Sequence, residues 1–251
     1  MALKDQFRAM GRRLLPLSSR RTIVRLSRRP PVGWVRFGDL RRLKPISLDW
    51  GAERGRPIDR YYIERFLAEH TADIRGRVLE IGDDRYTRAY GGQRVSRSDV
   101  LHFAKDRPPV TILGDLTRVE SLPADAFDCI LLTQTLQAIY DVPAAIRTVN
   151  HALKPGGVVL ATVPGISKIS RYDMDQWGYY WSFTSLSARR LFEAAFPEGL
   201  VHVSAYGNVL AAAAFLYGLA AQELKRDELD FVDPDYELLI TLHASKAAEV
   251  I

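Results

Sequence analysis

Three acidic residues, Glu80, Asp99 and Asp115, come at the ends of successive predicted strands. The carboxyl ends of parallel strands meet at one edge of a sheet, where open α/β sheets bind their ligands. Asp99 follows Glu80 by nineteen residues, a spacing that suits a carboxylate binding the ribose hydroxyls of a nucleotide-like ligand. Asp115 would then meet an adenine amino group. The alternative is that Asp99 and Asp115 cap helices, a role in which aspartate is common.

The loop after the first predicted strand has the composition of a ligand-binding loop. The apolar run from Val78 to Ile81 lies between Gly76 and the turn Gly82-Asp83-Asp84, as expected for a short buried strand. Gly82 lets a ligand approach the backbone closely. Two carboxylates in this loop would repel a pyrophosphate, which argues against a dinucleotide, whereas a cationic ligand tolerates them.

An aromatic and acidic loop follows the fifth predicted strand and supplies candidate acceptor-binding residues. Tyr172, Trp177 and Tyr180 offer ring faces that suit a sugar or an aromatic ring. Asp173 and Asp175 are the candidate catalytic residues, because a carboxylate can accept a proton from an attacking hydroxyl. They could also hold a divalent cation, although no metal site is predicted. The alternative is a packed lid in which the acids are solvated.

A second candidate lid precedes the first strand. Residues 50–62 form a polar loop, broken by Gly and Pro, that leads into a predicted helix at 61–70. Arg60 and Tyr62 are predicted to bind the substrate from this segment, with Arg54 also facing the site.

The chain alternates strand and helix signals, which predicts an α/β fold whose sheet is mostly parallel with helices on both faces. The segments from residue 51 onwards form one predicted domain, with its core at about 58–205. Predicted helices lie at 61–70, 142–153 and 187–196; predicted strands lie at 78–81, 93–99, 110–113, 127–132, 158–163, 200–206 and 238–242.

Residues 1–50 form a predicted basic arm. Residues 1–44 carry thirteen Lys or Arg residues against Asp5 and Asp39, although the whole chain has a net charge of only +5. One or two short amphipathic helices are expected there, and the arm could contact an anionic membrane surface, a polyanionic substrate or nucleic acid. A solvated arm is the alternative. No segment has the spacing of a nucleic-acid motif, so a nucleic-acid partner is not expected.

The remaining composition predicts a soluble protein of a reducing compartment. Cys129 is the single cysteine and lies in an apolar run, which rules out an internal disulfide. The first residues lack the apolar core of a signal peptide, and the apolar stretch 209–221 is too short to cross a bilayer. The expected location is the cytoplasm, either free or at the periphery of the membrane.

Between residues 58 and 205 the chain resembles the class I S-adenosylmethionine-dependent methyltransferases. Residues 78–82 (VLEIG) are similar to their first motif, 114–116 (GDL) to their adenine segment, 127–130 (FDCI) to their fourth strand, and 153–157 (LKPGG) to the turn before their fifth strand. Residues 57–67 and 170–184 also look like a subgroup found beside glycosyltransferases. The resemblance implies a Rossmann-like, seven-stranded sheet and S-adenosylmethionine as cofactor. The residues it implies for cofactor binding are Glu80, Gly82, Asp84, Asp99, Asp115, Leu116, Thr133 and Gln134.

The first loop departs from the family pattern, because Asp84 and Tyr86 replace its second and third glycines. Either Asp84 binds the amino group of the cofactor, or cofactor binding is weakened or lost. The first case predicts methyl transfer to a hydroxyl of a small molecule or glycan. The second predicts a catalytically inactive binding or scaffold protein. A nucleic-acid methyltransferase ranks last, since residues 133–136 (TQTL) lack the Pro-Pro segment typical of that class.

Overall fold

A computed structural model gives the structure of the protein and describes residues 30–103, 110–197 and 200–248. The helices predicted for the basic arm fall largely on residues 1–29, outside the described residues. The helices are α1 (Ile58–Glu69), α2 (Val142–Ala152), α3 (Arg171–Gln176), α4 (Ser185–Glu193), α5 (Val209–Tyr217) and α6 (Arg226–Asp230). The strands are β1 (Gly76–Ile81), β2 (Val95–His102), β3 (Ile112–Leu113), β4 (Phe127–Thr133), β5 (Leu153–Pro164), β6 (Val201–Tyr206) and β7 (Leu239–Ser245).

The seven strands form one sheet in the order β3-β2-β1-β4-β5-β7-β6. The pairs from β3 through β5 are parallel, and β7 runs antiparallel to both β5 and β6. The predicted Rossmann-like sheet, parallel in the main, is therefore confirmed. From β1 the chain first adds β2 and β3 on one side of the sheet, and then returns to add β4 and β5 on the other side. The direction in which strands are added therefore reverses between β1 and β4. Ligands of such sheets bind at that point of reversal, outside the carboxyl ends of the strands.

Two hydrophobic clusters cover the two faces of the sheet. Side chains alternate along β4, so that Ile130 and Leu132 join one cluster while Cys129 and Leu131 join the other. Helix α2 packs on the first face and α1 and α5 on the second. This double coverage explains why the central strands read as nearly continuous apolar runs. It also holds their carboxyl ends in one rigid edge.

Each strand differs from its predicted bounds by at least one residue, and the differences at β5 and β2 affect predicted motifs. The Lys154-Pro155-Gly156-Gly157 turn forms the start of β5, with Gly156 at a φ of +75°. Strand β2 continues through Val100 and Leu101 to His102, three residues beyond Asp99. The prediction that Asp99 ends its strand is therefore wrong.

The chain divides into two units, Met1–Leu43 and Lys44–Ile251. The second unit contains both hydrophobic clusters and every helix and strand named above. In the first unit the structure describes residues 30–43, which include one 3-10 turn at Gly38–Leu40. None of the helices in the described part of the chain has the length and apolar character needed to cross a membrane.

Candidate functional site

The carboxylate of Glu80 organises the loop after β1. It is buried and accepts hydrogen bonds from the backbone N–H of Tyr86 (3.2 Å), the backbone N–H of Thr87 (2.8 Å) and the Thr87 hydroxyl (2.8 Å). These bonds fix the start of a π-helical turn at Thr87–Gly91, which takes the place of a long helix between β1 and β2. Burial raises the pKa of Glu80 to about 7, although the three donors oppose that shift. A cation entering the cleft would favour the ionised form.

A polar cavity of about 300 Å³, called cavity A, lies at the carboxyl ends of β1, β4 and β5. Four carboxylates and two guanidinium groups line it: Asp59, Glu80, Asp83, Asp173, Arg60 and Arg85. Trp50 forms part of its wall at a φ of +50°, an uncommon conformation for a bulky residue. The Lys168 ammonium lies 3.4 Å from the centre of the Trp50 ring. Cavity A therefore has the charges to hold a polar ligand that carries both signs.

The tyrosine that replaces a glycine in the first loop connects that loop to α1. Tyr86 is buried, and its hydroxyl accepts a hydrogen bond of 2.7 Å from Arg60 Nη1. Asp59 Oδ1 accepts from the backbone N–H of Arg60 at 2.8 Å. Burial raises the pKa of Asp59, against the opposing charge of Arg60. Arg60 lines cavity A, as its predicted role in substrate binding requires, and its bond to Tyr86 holds it there.

A second cavity of about 620 Å³, called cavity B, lies at the carboxyl ends of β1, β2 and β3. Gly82, Leu116 and Ile139 are among its lining residues, and Asp115 and Thr117 contribute polar atoms. Asp115 Oδ1 accepts from the backbone N–H and the hydroxyl of Thr117, at 2.8 and 2.9 Å. On the outer side, Trp177 makes an edge contact with Phe103, with ring centroids 4.8 Å apart. The volume is sufficient for a ligand of nucleoside size.

Gly82 forms part of the floor of cavity B in a conformation that favours glycine. Its φ is +87°, and a Cβ atom built on it meets nothing within 4 Å. Such a Cβ atom would project into open space at the cavity. The substitutions at Asp84 and Tyr86 thus leave the backbone at Gly82 accessible to a ligand.

Five residues line both cavities and mark the place where the cavities meet: Ile81, Gln134, Gln137, Asp173 and Tyr179. Gln137 is buried and was not predicted from the sequence. Its spacing of three residues from Gln134, in the turn after β4, is the signal that could have identified it. Asp173 is the third residue of α3, and its backbone N–H donates to the hydroxyl of Ser170 at 3.2 Å.

Most of the predicted site residues come together in this cleft. Glu80, Thr133 and Arg60 line cavity A, whereas Gly82, Asp115 and Leu116 line cavity B, and Gln134 lines both. The aromatic residues predicted to bind substrate, Tyr172, Trp177 and Tyr180, line cavity B. Their rings therefore lie on the side of the nucleoside-sized cavity.

Asp99 is not among the residues that line either cavity. Its buried carboxylate accepts from Arg77 Nε (2.7 Å) and Thr111 Oγ1 (3.0 Å), and it forms an ion pair with Arg97. Burial alone would raise the pKa of Asp99, but these bonds lower it on balance. Asp99 is satisfied within the sheet, and its predicted contact with a ribose is not supported by this geometry.

Four other predicted site residues lie outside the two cavities. Asp84 forms an ion pair with Arg88 at 2.6 Å and does not line either cavity, whereas Asp83 does. Tyr62 is fully buried in the core and donates to the Leu229 carbonyl at 2.9 Å, because it shares the buried face of α1. Asp175 is exposed on α3, and Arg54 pairs with Glu223, both outside the two cavities.

The described residues contain no group of three or more His, Cys, Asp or Glu side chains placed to hold a metal ion.

Comparisons with known proteins agree with this fold. A family model described as a methyltransferase domain matches residues 50–196, more than half of the chain. The [4+2]-cyclase SpnF aligns at a TM-score of 0.51 with 17% identity, covering 75% of this chain and 82% of its own. A candidate sarcosine dimethylglycine methyltransferase from Galdieria sulphuraria aligns at 0.50 with 14% identity, covering 76% and 87%. No curated protein matches the sequence.

Proposed function

Because the chain belongs to the methyltransferase domain family, as a class I enzyme that uses S-adenosylmethionine, we propose that it methylates a hydroxyl group of a small-molecule or glycan acceptor. The observation that carries this proposal is the position of Asp173. Asp173 lines both cavities, at the place where the methyl group of a cofactor that reaches into both could meet the acceptor. Among the described residues, the Asp173 carboxylate makes no hydrogen bond or ion pair. It is therefore available to accept the proton that a hydroxyl must lose.

The residues of the cleft fit the cofactor. Gly82 leaves open backbone at cavity B, and the carboxylates of Glu80 and Asp83 suit a cationic ligand that carries no phosphate. Leu116 and Ile139 supply apolar surface in cavity B, and Asp115 a hydrogen-bond acceptor for an amino group. When bound, S-adenosylmethionine supplies a methyl group on a positively charged sulfur, which leaves as a neutral thioether.

The chain itself contributes orientation and proton transfer. Gln134 and Tyr179, like Asp173, line both cavities, and by binding the acceptor they would orient its reacting oxygen toward the methyl carbon. As that oxygen forms its bond to carbon, its proton passes to an Asp173 carboxylate oxygen. Trp177 and Phe103, which line cavity B, contact each other edge to face and would cover a bound ligand on that side.

The direct test is a methyl-transfer reaction with the full chain, S-adenosylmethionine and a panel of methyl glycosides, followed by mass spectrometry. We expect O-methyl ethers and S-adenosylhomocysteine in equal amounts. Methylation confined to amino sugars added to the same panel would contradict a hydroxyl acceptor. Methylation of neither kind of sugar would point away from sugars altogether.

We also propose that the basic arm attaches the enzyme to an anionic membrane surface. Within residues 30–43, Trp34, Phe37 and Leu43 are 76%, 55% and 106% exposed, and they alternate with Arg36 and the pair Arg41-Arg42. Interfacial segments bury such aromatic and aliphatic side chains among lipid headgroups, while basic residues pair with anionic lipids.

Deletion of residues 1–43 should therefore abolish sedimentation of the protein with vesicles that contain phosphatidylglycerol. Neutral phosphatidylcholine vesicles serve as the control, since they should recruit neither form. Affinity for S-adenosylhomocysteine should be unchanged, because the cleft lies wholly in Lys44–Ile251. Equal sedimentation of both forms, or preferential binding of the arm to RNA, would contradict the membrane proposal.

A further inference from the structure

Two glutamine side chains present unsatisfied amide atoms where cavities A and B meet. Gln137 is only 6% exposed, and its Oε1 is buried with no hydrogen-bond partner among the described residues. Gln134 Nε2 is likewise buried and lacks a partner there. A buried polar atom without a partner costs about 1–3 kcal/mol. An amide pair retained at that cost in a cleft indicates a ligand that satisfies it.

The surrounding bonds decide which atom of each amide is left without a partner. Gln137 Nε2 donates to the backbone carbonyl of Gln134 at 2.8 Å, and a carbonyl can only accept. The Gln137 oxygen is thereby left for a ligand. Gln137 Nε2 also lies 3.5 Å from Gln134 Oε1. The Gln134 oxygen therefore faces Gln137, and Gln134 Nε2 is the atom left without a partner. The neighbouring amides thus leave one acceptor and one donor unpaired.

The backbone holds this pair in place. Gln134 has a φ of +47°, an uncommon conformation for a residue other than glycine. Its N–H donates to the Thr162 carbonyl at 2.9 Å, which ties it to β5. The Gln137 carbonyl accepts from the N–H of Tyr180 at 2.7 Å, which ties the pair to the loop after α3. Backbone strain held by such bonds is typical of functional sites.

We infer that the Gln134–Gln137 amide pair binds an acceptor hydroxyl adjacent to the one that is methylated, and selects a hydroxyl at that position over an amine or a carboxylate; this deepens the proposed function and rests on it. A hydroxyl donates to Gln137 Oε1 and accepts from Gln134 Nε2, so both amide atoms are satisfied. An ammonium offers only donors, which leaves Gln134 Nε2 facing other donors. A carboxylate offers only acceptors, which leaves Gln137 Oε1 unsatisfied. A site that hydrogen-bonds a hydroxyl discriminates strongly against groups that lack the match.

The test measures binding of methyl glycosides, and of the corresponding amino sugars, to the full chain saturated with S-adenosylhomocysteine. Saturation-transfer NMR detects the bound sugars, and calorimetry measures the affinity for S-adenosylhomocysteine. The variants are Gln137→Met, which removes the acceptor, and Gln134→Asn, which withdraws the donor and tolerates a positive φ. Gln93→Met, on an exposed turn outside both cavities, is the matched control.

We expect the wild-type protein to bind the hydroxyl sugars in preference to the amino sugars. Each variant at the pair should weaken glycoside binding by about tenfold or more, with unchanged affinity for S-adenosylhomocysteine. Loss of that affinity in the variants would overturn the inference by assigning the pair to the cofactor. Equal binding of amino sugars, or no glycoside binding at all, would also overturn it. In the last case, retained binding of S-adenosylhomocysteine would leave the methyltransferase assignment intact.

Discussion

Asp173→Asn should lower kcat for methyl transfer by about 100-fold or more, since a positioned base contributes that much when a hydroxyl must lose its proton. The substitution keeps the size of the side chain and removes its ability to accept a proton. Asp173 lies where the cavities meet, and its proposed role is to accept a proton from the acceptor, not to bind the cofactor. Affinity for S-adenosylhomocysteine should therefore stay within about twofold of the wild-type value, because no cofactor contact is assigned to it.

Asp175→Asn is the matched control for this prediction. Asp175 belongs to the same helix, α3, but it is exposed and lines neither cavity. Steady-state kinetics of the two variants should show a large loss for Asp173→Asn and none for Asp175→Asn. Equal activity of both variants and the wild-type protein would remove Asp173 from the mechanism. The acceptor would then be a group that is already deprotonated.

Gly82→Val should weaken binding of S-adenosylhomocysteine by about 100-fold, on the order of 3 kcal/mol. The added side chain would fill open space at cavity B, where the backbone of the first loop is expected to lie against the cofactor. It would also strain a backbone whose φ is +87°. Calorimetric titration measures the loss of affinity directly.

Gly156→Val is the control that distinguishes an obstructed cavity from backbone strain as the cause of lost affinity. Gly156 has a comparable φ of +75° and also meets nothing within 4 Å of an added Cβ. It lies near the amino end of β5, whereas the cleft lies at the carboxyl ends of the strands. Both variants should lower the melting temperature by similar amounts, but Gly156→Val should keep the affinity of the wild-type protein. Comparable losses of affinity in both variants would mean that strain, and not the cavity, explains the result.

The sheet and the position of its cleft could be predicted from local patterns because each strand carries its own signal. The apolar run before Gly82 places Glu80 at the carboxyl end of β1, and both residues line the cleft as expected. Asp99 was misplaced because the acid looked like the end of a strand, whereas Val100 and Leu101 continue it. Its partners, Arg77 on β1 and Arg97 on β2, come together only when the two strands pair.

Features that depend on contacts between distant segments could not be predicted. The Tyr86 hydroxyl accepts a hydrogen bond from Arg60, which lies 26 residues away in the sequence. The sequence shows only that a glycine is missing from the first loop, whereas the structure shows that this bond stabilises the loop. Tyr62 was predicted to bind substrate, but it lies in the core. Its helical spacing with Phe66 places both residues on the buried face of α1. Gln137 has neither a charge nor an aromatic ring, so its residue type alone did not indicate a role in the site. Its importance comes from a single oxygen that the fold leaves buried without a partner.

The central claim is that this cleft, with Asp84 and Tyr86 in place of glycines, still binds the cofactor. Calorimetric titration of the full chain with S-adenosylhomocysteine tests it most directly. We predict binding of one molecule per chain with a micromolar Kd, lost in Gly82→Val and kept in Gly156→Val. No detectable binding to the wild-type protein would contradict the account and favour a scaffold built on a methyltransferase fold.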